Sequence, residues 1–392
     1  MAIVSGCSIY SDQNWIKRGS IKVDREKIVN ISSNRKIEDA REEVYHFPDT
    51  YKCLPGMIDI HIHGVAGADT MDATPETFTM MSHSLPKEGT TSFLATTITQ
   101  SKEAIEKALS AVNLYMQDQQ SGMAEILGVH LEGPFINPKR AGAQPIEYIR
   151  NAEIKLFEKW QNLAGGNIKI VTLAPEVGDN LHFIKYLTKH DVVTSIGHSD
   201  GTFDDINKAV LAGATQVTHL YNGMKGLHHR EPGVLGSAFI FPELYTELIC
   251  DGYHVSKEMV NLAYQIKGKE KIILITDAMR AKCLKNGVYD LGGQDVYVKD
   301  GMAKTVHGTL AGSLLKMKDS IQNMLMFTDA KLEDIVQMGA INPAKQCGVY
   351  EKKGSLEIGK DADLIVLNEK NEHIFTMCRG KVAYDRREKS SL

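Results

Sequence analysis

Two histidines stand two residues apart in GMIDIHIHG, at His61 and His63, behind an apolar lead that reads as a buried strand. Residues i and i+2 of a strand share a face and lie roughly 6.6 Å apart at about 3.3 Å per residue, so both imidazoles can converge on one ion. Alone, the pair does not separate a metal site from two satisfied histidines inside a packed core. Glu132 in GVHLEGPF lies on the same strand face as His130 and just before a Gly-Pro turn. Its two oxygens can bridge two cations, or it can pair with a neighbouring Lys or Arg. His198 in SIGHSD, His219 in THLYNGM and Asp277 in LITDAM each follow an apolar run. Four histidines, one glutamate and one aspartate at the ends of five strands need partners, because unpaired buried charge is costly. Bound cations supply that partner, and a histidine and carboxylate set accepts zinc, iron, manganese or cobalt. Asp59 and His130, one step deeper, read as braces behind the ligands.

Elements that could position such a set are legible between residues 53 and 350. Strand-like runs alternate with amphipathic ones, the pattern of a parallel sheet with crossover helices. Eight runs qualify, GMIDIHIHG, TSFLATTIT, EILGVHLEG, IKIVTLAPE, VVTSIGHS, TQVTHLYN, TELICDGYH and KIILITDAM. Eight is the number a closed (β/α)8 TIM barrel requires, and its chemistry sits at the C-terminal strand ends. In SKEAIEKALSAVNLYMQ, Ile105, Ala108, Leu109, Val112 and Met116 make one apolar stripe at helical spacing. Residues 286–312 read as a hairpin inserted after the eighth strand. Residues 1–52 and 351–392 read as short strands with turns, and we expect the two chain ends to share a small β-sandwich domain.

The 392 residues carry a net charge of -4 with Lys and Arg scattered, which excludes the basic surface of a nucleic-acid binder. No stretch approaches the roughly 20 apolar residues of a membrane span, and the N-terminus lacks a basic lead, so a cytoplasmic protein is expected. Six widely spaced cysteines form no C-x-x-C pair and read mostly as small buried apolar residues.

In this order and spacing, GMIDIHIHG, HLEGPF, GHSD, THLYNGM and TDAM resemble the N-acetylglucosamine-6-phosphate deacetylases of the amidohydrolase superfamily. The resemblance covers essentially the whole chain, since NPAKQCGVYEKKGSLEIGKDADLIVL is similar to that family's return into its small sheet domain. Generic amidohydrolases bridge their metals with a lysine from the fourth strand, whereas the matching acid here, Glu132, comes from the third. The resemblance implies hydrolysis of the N-acetyl group of N-acetyl-D-glucosamine 6-phosphate, in amino-sugar catabolism and cell-wall sugar recycling. By the same resemblance, Glu132, His198 and His219 hold one divalent metal. His61 and His63, which some members replace with amide side chains, hold a second that shares Glu132, giving one or two ions per subunit. Asp277 resembles the family's general base and then general acid.

Ala143 and Gln144 match sugar contacts, with Gln144 unable to transfer a proton, and Leu310, Ala311 and Gly312 match the substrate wall. Asn222, the Gly223 backbone, Arg230 and His254 match the phosphate clamp, with Arg230 and His254 reaching the neighbouring active site of a homodimer. Arginine suits that contact because its planar fork donates two hydrogen bonds to phosphate oxygens. His228 and His229 beside it read as a solvated loop. The galacto isomer of the substrate is a near rival. A cyclic-amide hydrolase or nucleobase deaminase would leave Arg230 without a purpose, and a metal-free binding relative would have lost ligands or Asp277, which this chain has not.

Overall fold

The computed structural model describes residues 1–33 and 43–387. The eight apolar runs form the strands Met57–Ile62, Thr90–Thr97, Glu125–Glu132, Ile168–Leu173, Val193–Ile196, Gln216–Val217, Tyr245–Ile249 and Ile272–Ile275. Each pairs in parallel with the next in chain order, which is the (β/α)8 barrel. The eighth strand closes onto the first through one parallel bridge, Ile62 to Ala278. Beside it the Asp277 N–H donates to the His61 carbonyl (2.8 Å) and the His63 N–H to the Ala278 carbonyl (2.9 Å). Closure therefore brings the first and last chemical groups of the barrel together.

The helices form where the spacing places them. In Lys102–Met116 the Ser101 hydroxyl caps the first turn by accepting from the Ala104 N–H at 3.2 Å. Ile105, Ala108, Leu109 and Val112 are fully buried against the barrel and Met116 is half-buried. Burial of Ile105, Leu109 and Val112 contributes about 1.5–3 kcal/mol for each side chain. No helix of the described residues is long and apolar enough to cross a membrane.

The chain ends build two further sheets. One pairs Ala2–Ser5, Gly19–Asp24, Lys27–Ser33 and Glu43–His46. The other has six strands and sets Lys52–Pro55 between Ser8–Ser11 and Leu364–Leu367. Val4, Ile9, Ile21, Phe47, Leu364 and Phe375 form their shared core. Residues 34–42 and 388–392 of the expected small domain lie outside the described ones. The insertion after the eighth strand is larger than the expected hairpin. Gly287–Leu291, Gln294–Lys299 and Met302–Thr305 make a three-stranded antiparallel sheet, because a second turn at Asp300–Gly301 returns the chain once more. Five of the six cysteines are buried, all six are free thiols, and Cys283 alone is exposed.

His373, in the strand His373–Cys378 between Leu364–Leu367 and the edge strand Lys381–Asp385, joins the six-stranded sheet to the barrel. Its Nε2 lies 2.6 Å from the Thr376 hydroxyl, which donates to the Pro86 carbonyl at 2.7 Å. The hydroxyl proton is thus committed, so His373 Nε2–H is the donor, and Nδ1 is buried with no hydrogen-bond partner among the described residues. Burial, with Lys318 nearby, holds this imidazole down to about 3. The unfolded chain takes up a proton below about pH 6.5 that the folded chain refuses, so stability present above that pH is lost as pH falls. We expect His373 to cost the wild type about 1.4 kcal/mol between pH 7.5 and 5.5. Urea unfolding of wild type and His373→Leu at the two pH values checks this; an equal pH dependence in both proteins would contradict it.

Candidate active site

The strand ends position the site, and the backbone leaves the ladder as it reaches them. His61 and Glu132 are still in their strands, and His63 follows the first by one residue. His198, His219 and Asp277 do not end strands as expected. They stand two residues past the fifth, sixth and eighth, at φ of 49°, 30° and 47°. Non-glycine residues rarely occupy that left-handed region, and such conformations gather at functional sites. The turn aims each side chain across the barrel mouth.

All six side chains meet around Glu132. Its Oε1 is 3.1 Å from Nε2 of both His198 and His219 and 3.5 Å from His61 Nε2. Its Oε2 is 3.4 Å from His63 Nε2. Asp277 Oδ1 lies 3.5 Å from His61 Nε2 and 3.3 Å from His63 Nε2. Two metal-sized groups form on Glu132, one with His61 and His63 and one with His198 and His219, and a third, His61 with His130 and Glu247, lies beneath them.

The donor chemistry asks for a cation. His198 Nδ1 faces the Arg140 carbonyl at 2.8 Å and His219 Nδ1 the Asn222 carbonyl at 3.1 Å. A carbonyl only accepts, so both Nδ1 atoms carry hydrogen and both Nε2 atoms present lone pairs. Those lone pairs face each other at 3.1 Å and share one carboxylate oxygen. His61 Nε2 and His63 Nδ1 are buried with no hydrogen-bond partner among the described residues. Positive charge is what this arrangement lacks. Burial pushes the His61 ring down, yet Asp277, Glu247 and Glu132 outweigh it and raise it to about 9. The same contest lifts His63 and His219, with Glu132 prominent in both. Burial also opposes ionisation of the two acids, but the imidazoles hold Glu132 well below the carboxylate range and Asp277 at about 2. The residues present fit one or two divalent ions.

Behind them stand the braces. Asp59 accepts from the Thr276 hydroxyl at 2.5 Å, next to Asp277, and burial raises its carboxyl to about 6. His130 faces the Ile60 carbonyl through Nδ1 and the Thr172 hydroxyl through Nε2, and burial lowers its ring to about 4.

A cavity of about 410 Å³ opens over the cluster, with His63, Glu132, His198, His219 and Asp277 exposed to it. Ala143, Gln144, Asn222, Gly223, His254, Leu310 and Gly312 also line it. Gly223 is at φ 58°, and a Cβ there would come within 3.0 Å of His198 Nδ1 and 3.3 Å of the His219 ring. Three expected contacts stand differently from the reading above. Gln144 spends its amide inside the protein, donating to Glu132 Oε2 at 2.6 Å and accepting from the Thr99 N–H at 2.7 Å. Ala311 faces away from the cavity into the small core under the three-stranded sheet, because its N–H donates to the Ala303 carbonyl. His254 meets the cavity of its own chain. A tight turn held by Asp251, which accepts from the backbone N–H of Tyr253 and His254 at 2.8 Å, folds it back. Arg230 does not line the cavity; it is exposed, with Nη1 on His229 Nε2 at 2.8 Å.

Residues 53–383 match the model of the amidohydrolase family. This chain belongs to the amidohydrolase family. The amidohydrolase is 46% identical over 392 residues to N-acetylglucosamine-6-phosphate deacetylase of Bacillus subtilis (strain 168), across 100% of this chain and 99% of that one. It is 37% identical over 320 residues to N-acetylgalactosamine-6-phosphate deacetylase of Escherichia coli O157:H7, across 82% and 84% of the two chains. Among solved structures it superposes on N-acetyl-D-glucosamine-6-phosphate deacetylase of Mycobacterium smegmatis, an aspartate-to-alanine variant in complex with N-acetyl-D-glucosamine-6-phosphate. The TM-score is 0.91 at 26% identity, over 98% of this chain and 99% of that one. Sequence reasoning passed over one polar group of this amidohydrolase, Glu247 in TELIC, which is fully buried beneath His61. A glutamate inside a run of otherwise uncharged strand residues was the signal available.

Proposed function

We propose that the protein hydrolyses N-acetyl-D-glucosamine 6-phosphate to D-glucosamine 6-phosphate and acetate, a step of amino-sugar catabolism and cell-wall sugar recycling. The observation that carries this reading is the convergence of four imidazoles on Glu132, with Asp277 at the floor of a cavity large enough for a sugar phosphate. The 46% identity to an N-acetylglucosamine-6-phosphate deacetylase, against 37% to an N-acetylgalactosamine-6-phosphate deacetylase, supports the gluco substrate.

Glu132, His198 and His219 would hold one divalent ion, and His61 and His63 a second on the same glutamate, with zinc, iron, manganese or cobalt suited to the donors. Such an ion supplies a polarised carbonyl and an acidified water. Asp277 stands ionised and accepts the proton of the attacking water at a carboxylate oxygen. It then returns that proton to the leaving nitrogen, which departs poorly as an anion. Gln144 keeps Glu132 in register by donating to Oε2, and the Gly223 backbone leaves room beside His198 and His219. Ala143, Leu310 and Gly312 wall the sugar, and Asn222 and His254 face its phosphate end. Arg230, exposed and outside its own cavity, fits the reading that it crosses a homodimer interface to the neighbouring phosphate.

Acetate release by purified protein from N-acetylglucosamine 6-phosphate, its galacto isomer and unphosphorylated N-acetylglucosamine tests the reading, with metal content measured on the same sample. The expected result is release from the phosphorylated gluco substrate far above the other two. Preferred turnover of the galacto isomer would replace the substrate, and release from none of the three by metal-loaded protein would overturn the function.

A further inference from the structure

We propose that Glu247 is a positioning residue that fixes His61 for the ion shared with His63 and Glu132. The inference rests on the reading that the first-strand pair holds an ion.

Glu247 sits in the middle of the seventh barrel strand, with its carboxylate inside the barrel and no solvent access. Oε2 lies 2.8 Å from His61 Nδ1 and also accepts from the His219 N–H at 3.2 Å. Oε1 accepts from Gln216 Nε2 at 2.7 Å. A carboxylate engaged in this way is a pure acceptor, so His61 Nδ1 is the hydrogen-bearing nitrogen and Nε2 is left as the lone-pair donor. That Nε2 is the atom facing Glu132 Oε1 and Asp277 Oδ1.

The other three imidazoles around Glu132 are held differently. Backbone carbonyls anchor His198 and His219, and His63 Nδ1 has no partner among the described residues. Glu247 is therefore the side chain that anchors one imidazole ring of the cluster; its other bond is to the His219 backbone N–H, and the His198 and His219 rings keep their own carbonyl anchors without it. A carboxylate behind an imidazole also makes it a stronger donor, and loss of such a partner typically weakens metal affinity 10–100-fold. The rival role is mechanical, a buried acid that ties the first, sixth and seventh strands together. The two roles separate through His61, since a mechanical tie does not need that imidazole.

Glu247→Gln removes the charge and keeps the shape. Gln216 Oε1 is buried with no hydrogen-bond partner among the described residues, so rotation of that amide lets it accept from the new side chain. Glu247→Asp is the companion variant, with the charge kept but the carboxylate drawn back from His61. Full-length protein loaded with zinc(II) is titrated with dipicolinate, and zinc per subunit is counted. We expect the zinc that His61→Asn abolishes to leave each Glu247 variant at roughly 10–100-fold lower chelator concentration, with the other zinc unchanged. In the His61→Asn background, Glu247→Gln should add no further loss. An unchanged chelator midpoint in both Glu247 variants, or an equal shift with and without His61, overturns the proposal alone. A wild type that binds one zinc, indifferent to His61→Asn, overturns the two-ion reading with it, and acetate release by that same protein reports separately on the function.

Discussion

Asp277→Asn is expected to lower turnover of N-acetylglucosamine 6-phosphate by about 10³-fold or more while the protein keeps its metal. The substitution is close to isosteric, and asparagine tolerates the left-handed backbone found at this position, where φ is 47°. The backbone bond from the residue 277 N–H to the His61 carbonyl is untouched, so barrel closure survives. An amide oxygen also still faces the first-strand histidines, as Oδ1 does now at 3.3 and 3.5 Å. What the amide cannot do is take a proton from water and hand it to a leaving amine. The deficit should fall on kcat, with KM and metal content near wild type. Steady-state kinetics with metal analysis on the same preparation decides the matter, and a loss smaller than tenfold would remove Asp277 from the proton path.

That residue also shows how much of the site was legible in the sequence. Asp277 stood out because an acid after Ile272, Ile273, Leu274 and Ile275 has no place in an apolar core. The same reasoning found His61, His63, Glu132, His198 and His219, and the structure brings all of them within one cluster. Strand ends were less legible. The apolar run continues past the last ladder residue, as at Leu220 and Cys250, because these side chains still pack inside after the backbone has turned. A hydrophobic pattern reports burial and does not report where pairing stops.

Contacts set by tertiary folding were not legible at all. Nothing local to Gln144 announces that both ends of its amide are committed to Glu132 and Thr99, and nothing local to Glu247 reveals a histidine 186 positions earlier. The return of His254 to its own cavity depends on Asp251 accepting two backbone N–H groups, a turn that was read only as the end of a strand. The residue types were on view and their pairings were not, since pairing follows from which strands become neighbours.

Glu132→Gln should have the second large effect. Gln144 Nε2 donates to Oε2 from 2.6 Å, so the amide oxygen of the variant is held on that side. The new NH2 group then replaces Oε1 and points at the Nε2 lone pairs of His198, His219 and His61, now 3.1, 3.1 and 3.5 Å away. Two hydrogens there reach at most two of the three Nε2 atoms, and the charge that raises His61, His63 and His219 is gone, so the metal-free variant should melt below metal-free wild type. The same group carries no charge to hold an ion. Zinc affinity should fall by more than about 100-fold, the upper range for losing even an outer partner. Turnover should drop by about 10³-fold or more, equivalent to about 4 kcal/mol of barrier. Melting with and without EDTA gives the sharpest check, because the chelator should destabilise wild type and leave the variant unmoved. A variant that kept two zinc ions, or one that a chelator still destabilised, would show that Glu132 is not the group on which the cluster is built.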